Sequence, residues 1–517
     1  MAKFARSTAT IPRSPLTASI PAPTHEGGDG AEYDLKAQLF LLALTNMVRE
    51  GTFYEKAGER DARFRDLVHR VTATDPDWVK RFVPFLRDTM NMRSASLVLA
   101  AEYVKAGGPN GRQVVASALQ RADEPGEMLA YWTQVHGRAI PQPVKRGVAD
   151  AACRLYTERA VVRYDGLNAG WRFGSVLEVV HPKPRDHYQS FLFKHLIDRA
   201  HDRDGLRYED GEDVALRALA NDAMLRGISE DQRRGVLGSS ADLIFNTAYW
   251  PWERLAGWLP GGMDKEAWEA VIPSMGLMAL VRNLRNFDQA GVNDGVAAAI
   301  CRRLTDPEEV KASRQMPFRF YSAYAESPSE RWSWALEKAM DLSMANVPSL
   351  KGSTLVLIDI SGSMADKVSE RSQRSRAEIA ALFGISLAKR AEQAQVVMFN
   401  NQWARYPVTQ SVLRCVKGIS ARVTGGTNTG RALRESYQGE DRVVILTDEQ
   451  ASVFYGEDIK VIRPQGAKRL YTWNLAGYDI AQTEQGKDNC FVFGGLSDGA
   501  FTGIDLIEST GLQSWPF

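Results

Sequence analysis

Apolar side chains recur at helical spacing along residues 33–345. Leu35, Leu39 and Leu42, for example, fall on one face of a helix near the start of this region. Gly, Pro and Asp separate one such stretch from the next, and strand-like alternation is scarce. Further stretches of this kind cover residues 97–104, 147–160, 176–180, 188–200, 214–225, 275–284, 296–304 and 332–344. Many short amphipathic helices without strands predict stacked helix pairs, as in an α-solenoid, although no strict sequence period is present.

The pattern changes near Pro348 to short, β-branched apolar runs that alternate with helical stretches. The apolar runs predict strands at residues 353–360, 395–399, 442–446, 469–473 and 490–493. The intervening pattern predicts helices at residues 376–393, 411–419 and 503–509. Alternation of strands and helices predicts a parallel, doubly wound sheet.

Residues 1–30 differ from both regions because Pro, Thr, Ser and Gly dominate them. Such a segment can bury little and is prone to turns, so it is predicted to be a flexible lead-in. The predicted organisation is therefore a lead-in over residues 1–30, a helical region over residues 31–348 and an α/β domain over residues 349–517. A chain of 517 residues is too long for one hydrophobic core, which agrees with two or more units.

Composition limits the classes of partner and compartment. Lys and Arg total 64 against 63 Asp and Glu, so any nucleic-acid site must be a local patch. The four cysteines are far apart, which argues against a disulfide scaffold and a zinc knuckle and fits a reducing compartment. The amino-terminal segment lacks the apolar core of a signal peptide, and no early apolar run approaches the ~20 residues that span a bilayer. We therefore expect a cytoplasmic protein without a membrane partner.

The strongest chemical motif is Asp359-Ile-Ser361-Gly-Ser363, directly after the first predicted strand of the α/β domain. Ligands of open α/β sheets gather beyond the carboxyl ends of the strands, where this loop would lie. One carboxylate and two hydroxyls spaced by two residues can turn toward one point, and such hard oxygens suit Mg²⁺ or Mn²⁺. The alternative is a Ser/Gly turn that merely caps the following helix, which an isolated motif of this kind would usually be.

Two later segments favour the ion site. A Gly-Gly-Thr427-Asn-Thr429 loop precedes a helix, and Asp448 ends a predicted strand. The set resembles the metal-ion-dependent adhesion site of von Willebrand A domains, which combines Asp-x-Ser-x-Ser with a later Thr and a later Asp. This resemblance implies a choice between Thr427 and its neighbour Thr429 that stays open, with Thr427 the better fit. The implied ligands are Asp359, Ser361, Ser363, Thr427 and Asp448.

Such a site offers few formal negative charges, so a bound ion would keep open positions for a carboxylate of a partner protein or for an anion. Hydrolysis would need a general base beside a metal-bound water, and residues 350–517 contain no histidine. We therefore expect a binding module and no enzyme.

A basic, histidine-rich stretch lies in the helical region. Residues 136–201 contain five of the seven histidines, and eleven Lys and Arg against six Asp and Glu. Aromatic residues are interleaved with these charges. Cations hold phosphates, while aromatic rings and guanidinium planes stack on unpaired bases. The alternative is an ordinary solvated face of a helical solenoid whose aromatic residues belong to the core.

Several local strings, in one order along the chain, resemble the TROVE family, which comprises the Ro autoantigen and its bacterial relatives. The strings are Gly51-Thr-Phe-Tyr54, Gly137-Arg138, Gly170-Trp171, Val180-His181-Pro182-Lys183-Pro184, Gly276-Leu-Met-Ala-Leu-Val-Arg-Asn-Leu284 and the downstream A-type domain. The resemblance implies an all-α, HEAT-like helical-repeat ring followed by an α/β, doubly wound von Willebrand A-like (Rossmann-like) domain that closes it.

The same resemblance implies RNA as the partner. Small noncoding Y RNAs would bind the outer basic surface, and single-stranded 3′ ends of misfolded RNAs would enter the central hole. His181 matches the family's RNA-contacting histidine. The further candidate RNA contacts are Arg138, Lys145, Arg146, Arg163, Arg172 and Lys183. We expect a monomer in RNA quality control or RNA processing, with an exoribonuclease as a family-type protein partner and no DNA partner.

Two other functions were weighed. The first is a metal-dependent protein-docking scaffold or cochaperone without an RNA role. The second is a metal-dependent hydrolase, which is the weakest because no nucleophile–base set is evident.

Overall fold

The computed structural model describes residues 18–23, 29–45, 56–166, 170–201, 216–326, 329–368, 372–409, 411–450, 461, 463–478, 480–481, 489–494, 504, 508, 515 and 517. In this part of the chain, a helical array precedes the main sheet. Its helices are α1 (Leu35–Thr45), α2 (Ala57–Thr74), α3 (Pro76–Pro84), α4 (Arg93–Lys105), α5 (Gly111–Ala118), α6 (Glu124–His136), α7 (Gln142–Leu155), α8 (Glu158–Tyr164), α9 (Phe173–Val180), α10 (His187–Ala200), α11 (Arg217–Arg226), α12 (Glu230–Asp242), α13 (Trp252–Trp258), α14 (Lys265–Val271), α15 (Leu277–Gln289), α16 (Asp294–Leu304), α17 (Pro307–Ala312), α18 (Pro317–Glu326) and α19 (Glu330–Ser343).

The strands and the remaining helices follow the same numbering. The strands are β1 (Ala18–Pro23), β2 (Asp29–Tyr33), β3 (Leu350–Asp359), β4 (Ala391–Phe399), β5 (Trp403–Tyr406), β6 (Arg442–Thr447), β7 (Arg469–Asn474), β8 (Ile480–Ala481) and β9 (Cys490–Gly494). The helices between them are α20 (Arg376–Arg390), α21 (Val412–Ser420) and α22 (Thr429–Ser436). None of the helices described is both long enough and apolar enough to cross a bilayer.

Asp-Pro pairs, which separate apolar stretches in the sequence, mark the starts of helices. Asp75 accepts a hydrogen bond from the backbone N–H of Trp78 at 3.0 Å, and Pro76 occupies the first position of α3. Asp306 caps α17 in the same way, again with Pro at the first helical position. A side-chain acceptor satisfies an otherwise orphaned N–H, and Pro has no N–H to lose there. The Asp-Pro pairs therefore break the array into short helices, as the sequence predicts.

A buried carboxylate ties three helices of the array together. Glu102 of α4 is fully buried and accepts hydrogen bonds from Tyr131 Oη at 2.6 Å. Its carboxylate oxygens also lie 2.7 Å from His69 Nε2 of α2 and 2.9 Å from His136 Nε2 of α6. A buried carboxylate is stable only when its lone pairs are satisfied. His136, one of the five clustered histidines, therefore has a structural partner.

The main sheet has the order β5-β4-β3-β6-β7-β9, with every pairing parallel except the antiparallel edge strand β5. Alternate residues of β3 enter two different cores: Val356 and Ile358 pack on the side of α20, whereas Leu355 and Leu357 pack on the side of α22. Strands that are apolar on both faces belong between two helical layers. This doubly wound arrangement places the carboxyl ends of β3 and β6 side by side.

Both ends of the helical array contact this α/β module. At the near end, Tyr321 Oη of α18 donates to Glu378 of α20 at 2.5 Å. At the far end, the ring of Phe40 in α1 lies 6.3 Å from that of Phe493 in β9, and Arg63 Nη2 of α2 donates to the carbonyl oxygen of Gly477 at 3.2 Å. The array and the module thus form a closed ring. The predicted fold class, a helical ring plus an α/β doubly wound domain, is confirmed.

Three details differ from the sequence-based expectations. The lead-in predicted to be flexible contains β1 and the first two residues of β2. Strand β1 pairs with β2, and β2 pairs with β8, so that prediction is wrong for residues 18–23 and 29–30. Backbone ladders hold these strands, and apolar periodicity does not report them. Strand β5 was not predicted, and the helix predicted at residues 376–393 ends at Arg390, where β4 begins. Apart from Ile504 and Glu508, the helix predicted at residues 503–509 lies outside the described residues.

Candidate nucleic-acid groove and ion site

A groove of about 800 Å³ opens between α7 and the turn that follows α9. We call it the basic groove. Asp150 is the one acidic residue among its lining side chains, against six cations and a histidine. The cations and the histidine are Arg112, Lys145, Arg146, Arg154, Lys183, Arg185 and His181. Although the chain as a whole is nearly neutral, the helical array therefore concentrates positive charge in this groove.

The turn after α9 presents its polar residues because the local sequence stops the helix. His181 adopts a left-handed conformation with φ 46°, which ends α9, and the prolines on either side of Lys183 cannot continue a helix. Cys153 Sγ of α7 donates to the carbonyl oxygen of Lys183 at 3.3 Å. Gln189 of α10 donates to the carbonyl oxygen of Cys153 at 2.8 Å and accepts from the N–H of Arg185 at 3.0 Å. The turn is thus held against both helices.

Arg112 reaches the basic groove because α5 and α7 approach closely. A Cβ on Gly147 would lie 2.6 Å from Val115 Cβ and 2.7 Å from the carbonyl oxygen of Arg112, so only glycine allows this packing. Arg112 then forms a two-pronged ion pair with Asp150, with N–O distances of 2.6 and 2.8 Å. This pair neutralises the single acid of the groove.

The remaining cations of the basic groove are less engaged. Arg154 donates to the carbonyl oxygens of Ala116 and Leu119 and to no carboxylate in the described part of the chain. Like Arg154, the groove cations Lys145, Arg146, Lys183 and Arg185 make no ion pair with any described residue. Burial raises the pKa of the Cys153 thiol, so it stays protonated and adds no negative charge. The groove therefore carries a surplus of positive charge that suits an anion.

Of the seven RNA-binding residues predicted from the sequence, the structure brings four into this groove: Lys145, Arg146, His181 and Lys183. Arg138 is exposed in the loop before α7, and Arg163 is exposed on α8, 5.5 Å over the ring of Tyr164. Arg172 instead caps α9, lies 3.7 Å from Asp165 and donates to the carbonyl oxygen of Arg199 at 3.2 Å. These three do not line the groove.

Three lining cations were missing from the predicted site. Arg154 and Arg185 belong to the basic stretch, and position alone gave no reason to prefer them to their neighbours. Arg112 lies outside that stretch and joins the groove only through the packing of α5 on α7. Arg112 lies two helices before α7 in the chain, and such a separation leaves no local sequence signal for the contact.

The loops of the predicted ion site meet at the carboxyl end of the sheet. Asp359 ends β3, and its carboxylate accepts from Ser361 N at 2.8 Å and from Thr447 Oγ1 at 2.6 Å. Ser361 Oγ and Ser363 Oγ lie 3.5 Å apart. The N–H of Gly362 donates to the carbonyl oxygen of Gly425 at 2.8 Å, which joins the motif to the loop that carries Thr427 and Thr429.

Burial is a common property of the candidate ligands. Asp359, Ser361, Thr427 and Asp448 are buried, and Ser363 is half-buried. Thr429 is also buried but lies within α22, directly after the capping residue Asn428, so both threonines stay candidates.

The electrostatics of the site call for a cation. Burial and the nearby Asp448 raise the pKa of Asp359 to about 7. Burial also raises the pKa of Asp448, against the lowering effect of Arg376, whose Nη1 lies 3.2 Å from Asp448 Oδ2. The other oxygen, Asp448 Oδ1, is buried and has no hydrogen-bond partner among the described residues. One guanidinium against two buried carboxylates leaves negative charge uncompensated.

The donor set fits Mg²⁺ or Mn²⁺, because it offers carboxylate and hydroxyl oxygens and no soft ligand. It does not form a dense acidic cage: among the described residues, no group of three His, Cys, Asp or Glu side chains is arranged to hold a metal. An ion here would therefore rely on two carboxylates, hydroxyls and water, which leaves positions for an outside ligand.

Parts of the chain match known proteins in sequence. Residues 252–329, which span α13 to α18, match the TROVE domain. The protein named "RNA-binding protein RO60" from Deinococcus radiodurans is 25% identical over 342 residues, which cover 61% of this chain and 60% of the relative. The protein of the same name from Caenorhabditis elegans is 29% identical over 162 residues, 28% of this chain and 25% of that one. The chain thus spans less than two thirds of the length of either relative.

A solved structure extends the likeness to the fold. The crystal structure of the Deinococcus radiodurans RO (RSR) protein superposes with a TM-score of 0.64 at 20% sequence identity, covering 90% of this chain and 99% of that one. The match includes the helical ring and the α/β module. The resemblance inferred from short sequence strings is therefore confirmed: this chain is similar in sequence to TROVE-domain RNA-binding proteins and has the fold of a bacterial Ro protein.

Proposed function

We propose that this protein binds RNA through the basic groove. The observation that carries the proposal is the concentration of six cations and one histidine around a single acid, in a chain of net charge +1. Five of those six cations make no ion pair among the described residues. Lys and Arg neutralise phosphates and release counterions, which supplies most of the affinity for a nucleic acid. The sequence relatives named as RNA-binding proteins support the same assignment.

The finer assignment follows the family resemblance. A small, structured Y-like noncoding RNA would bind the outer surface of the ring, and single-stranded 3′ ends of misfolded RNAs would enter its cavity. The protein would then act as a ribonucleoprotein component in RNA quality control or RNA processing, with an exoribonuclease as a protein partner. RNA, rather than DNA, is the partner that this resemblance implies.

The groove residues have distinct tasks in this proposal. Lys145 and Arg146 project from adjacent positions of a rigid helix, so they fix the register of the phosphate backbone. Arg185 can hold two phosphate oxygens with its planar fork, whereas Lys183 acts as a point charge. His181, exposed at the helix end, can donate a ring N–H to a phosphate or to a base edge.

We further propose that the ion site binds Mg²⁺ or Mn²⁺ through Asp359, Ser361, Ser363, Thr427 and Asp448. Two observations support an ion here: Asp448 Oδ1 is buried with no hydrogen-bond partner among the described residues, and two buried carboxylates face one guanidinium. An ion with open positions accepts a carboxylate from another protein. Protein docking at this site is the second candidate function, and it is independent of the basic groove.

The groove assignment is tested by combining Lys145→Ala, Arg146→Ala and Lys183→Ala. We expect RNA affinity at low salt to fall roughly a hundredfold, and the slope of log affinity against log salt to fall by about two to three, because each lost phosphate contact removes nearly one released counterion. Filter binding with a structured RNA measures both quantities.

A matched variant controls for net charge. Lys105→Ala, Lys265→Ala and Lys311→Ala remove three exposed lysines elsewhere in the helical array. This control should bind RNA within about threefold of the unmodified protein, since long-range charge is screened beyond ~10 Å. Equal losses in the two triple variants would contradict the assignment of the groove.

A further inference from the structure

Two tyrosines of the helical array expose their rings. Tyr188 is 40% and Tyr249 41% exposed, although large apolar side chains are otherwise mostly buried in the described residues. Single exposed apolar side chains are ordinary on a protein surface, but an aromatic ring also offers a flat face on which a planar ligand can stack. Their positions are also related: each ring contacts one of the first two residues of α8.

Both rings are fixed in place. Tyr188 Oη donates to Glu158 Oε1 at 2.6 Å, and Glu158 Oε2 accepts from the N–H groups of Ala218 and Leu219 at 2.7 and 3.1 Å. The carboxylate of Glu158 thus joins the tyrosine to the start of α11. Burial and Glu158 raise the pKa of Tyr188, so it remains a protonated donor. Little side-chain freedom remains to be lost when a ligand stacks on this ring.

The second ring is held by backbone and by charge. Tyr249 occupies a left-handed conformation with φ 56°, in the turn before α13. The guanidinium of Arg159 lies 5.4 Å from the centre of its ring. Strained backbone at a surface aromatic residue persists only where the surrounding structure holds it, and such strain is common at binding sites. The arginine leaves a cation within reach of any base that stacks there.

This surface continues the basic groove. Arg185 lines the groove, and Tyr188 follows three residues later in the first turn of α10. The exposed cations nearby are Arg159, Arg163 and Arg185, whereas Glu158 is fully engaged and Asp186 caps α10 through the N–H of Gln189. The path from the groove to the tyrosines therefore offers positive charge first and aromatic faces next.

We propose that Tyr188, Tyr249 and Arg159 form a tyrosine platform that stacks unpaired nucleotides of an RNA whose structured part lies in the basic groove. This inference rests on the proposed RNA-binding function. Aromatic rings stack on bases only where the bases are splayed out of a duplex, while arginines hold the connecting phosphates. The platform would make the protein prefer a structured RNA that carries a single-stranded extension over the same RNA without one.

The test uses two RNA probes, a blunt hairpin and the same hairpin with a short single-stranded tail. The variant combines Tyr188→Ala with Tyr249→Ala in the full chain. We expect the tailed probe to bind the unmodified protein roughly tenfold more tightly than the blunt probe, and the variant to lose that preference, because stacking on one aromatic ring is worth ~1–3 kcal/mol per base. Affinity for the blunt probe should change less than about twofold.

Two controls separate stacking from folding. Tyr188→Phe with Tyr249→Phe keeps both rings and should retain most of the preference for the tail, losing no more than about threefold through the missing bond to Glu158. A 2-aminopurine placed in the tail should be quenched by the unmodified protein and by the Phe variant, and not by the Ala variant.

Each other outcome has a defined meaning. An Ala variant that keeps the preference for the tail and quenches the tail probe overturns the platform while leaving the groove intact. Equal losses on both probes place the tyrosines in the structured-RNA contact and overturn the platform as well. If the unmodified protein binds neither probe, the proposed RNA-binding function itself fails, and the platform fails with it.

Discussion

The basic groove and the ion site handle charge in opposite ways. The groove carries six cations near solvent, with one acid that is itself paired to Arg112. The ion site buries two carboxylates, with one guanidinium beside them. Exposed charges of one sign cost little because water and salt surround them, whereas buried charges of one sign raise a pKa or require a counter-ion.

This difference separates the two sites as binding surfaces. The exposed cations of the groove cost the unbound protein little free energy. The affinity of the groove for RNA should therefore depend on ionic strength and on the length of the polyanion. The ion site should depend on the presence of a divalent cation and hardly at all on monovalent salt. If both proposed sites bind their ligands, RNA and a protein partner would bind under independent control.

Of the predicted effects, the largest is the effect of salt, which should differ between the basic groove and the ion site. Raising monovalent salt from about 50 to about 200 mM should lower RNA affinity roughly a thousandfold if the six groove cations each contact a phosphate. The stabilisation given by Mg²⁺ should change less than about threefold over the same range, because the carboxylates are buried. Filter binding and thermal unfolding measure the two responses. RNA affinity that ignores salt and vanishes with a chelator would reverse the roles of the two sites.

A smaller effect is expected from Asp359→Asn. Without ions the variant should be at least as stable as the unmodified protein, because one of two neighbouring buried carboxylates becomes neutral. With Mg²⁺ at about a hundred times its Kd, the unmodified protein should gain about 2.7 kcal/mol and the variant nothing. Asp359→Ala should abolish ion binding in a calorimetric titration.

The matched control for this prediction is Asp366→Asn. Asp366 is half-buried and its carboxylate lies 3.8 Å from Arg376, but it is not a predicted ligand. Ion binding should survive in this variant, and RNA affinity should stay within about twofold in all of these variants because the groove is untouched. Undiminished ion binding by Asp359→Ala would remove the proposed ligand set.

The smallest effect concerns the single acid of the groove. Asp150→Asn should raise RNA affinity two- to fivefold, because it frees Arg112 and removes a repelling charge, and exposed ion pairs are worth ~0.2–1 kcal/mol. Asp77→Asn removes a carboxylate that is also ion-paired but lies elsewhere and is more exposed, and it should leave affinity unchanged. The same gain in both variants would show that net charge, rather than the groove, sets affinity.

The candidate ligands of the ion site could be predicted from the sequence, because the order of the strands in the sheet decides which loops meet. Asp359 and Asp448 follow the ends of two strands that the sheet places side by side, and parallel strands bring such loops to one edge. A motif, its order and a fold class were therefore enough to bring the candidate ligands together. Their burial and the pairing of Arg376 with Asp448 depend on side-chain packing, which no spacing rule describes.

Only some of the groove residues could be predicted from the sequence. Lys145, Arg146, His181 and Lys183 lie close enough in sequence to suggest a common patch. Arg112 joins through the close approach of α5 to α7 at Gly147, and Arg172 is turned away by its partner Asp165. In a helical array, the face that a side chain occupies depends on which neighbour its helix contacts, and that is a property of tertiary structure.

The strands that escaped prediction share a physical reason. Strand β5 has four residues and lies at the edge of the sheet, and β1 contains two prolines. Such strands are held by backbone hydrogen bonds to a partner, and two of the four residues of β5 are exposed. Apolar periodicity, which located the other strands of the main sheet, carries no information about them.

The aromatic junction that closes the ring also bears on how the chain folds. Arg81 donates to the carbonyl oxygen of Phe517 across 436 positions, and the rings of Phe40, Trp78 and Phe82 lie against Trp515 or Phe517. During synthesis these first helices emerge long before their aromatic partners. Until then their apolar surface is exposed and can form non-native contacts. Contacts between residues this distant in sequence also form slowly. Production of the folded protein should therefore be sensitive to chaperone supply and to temperature.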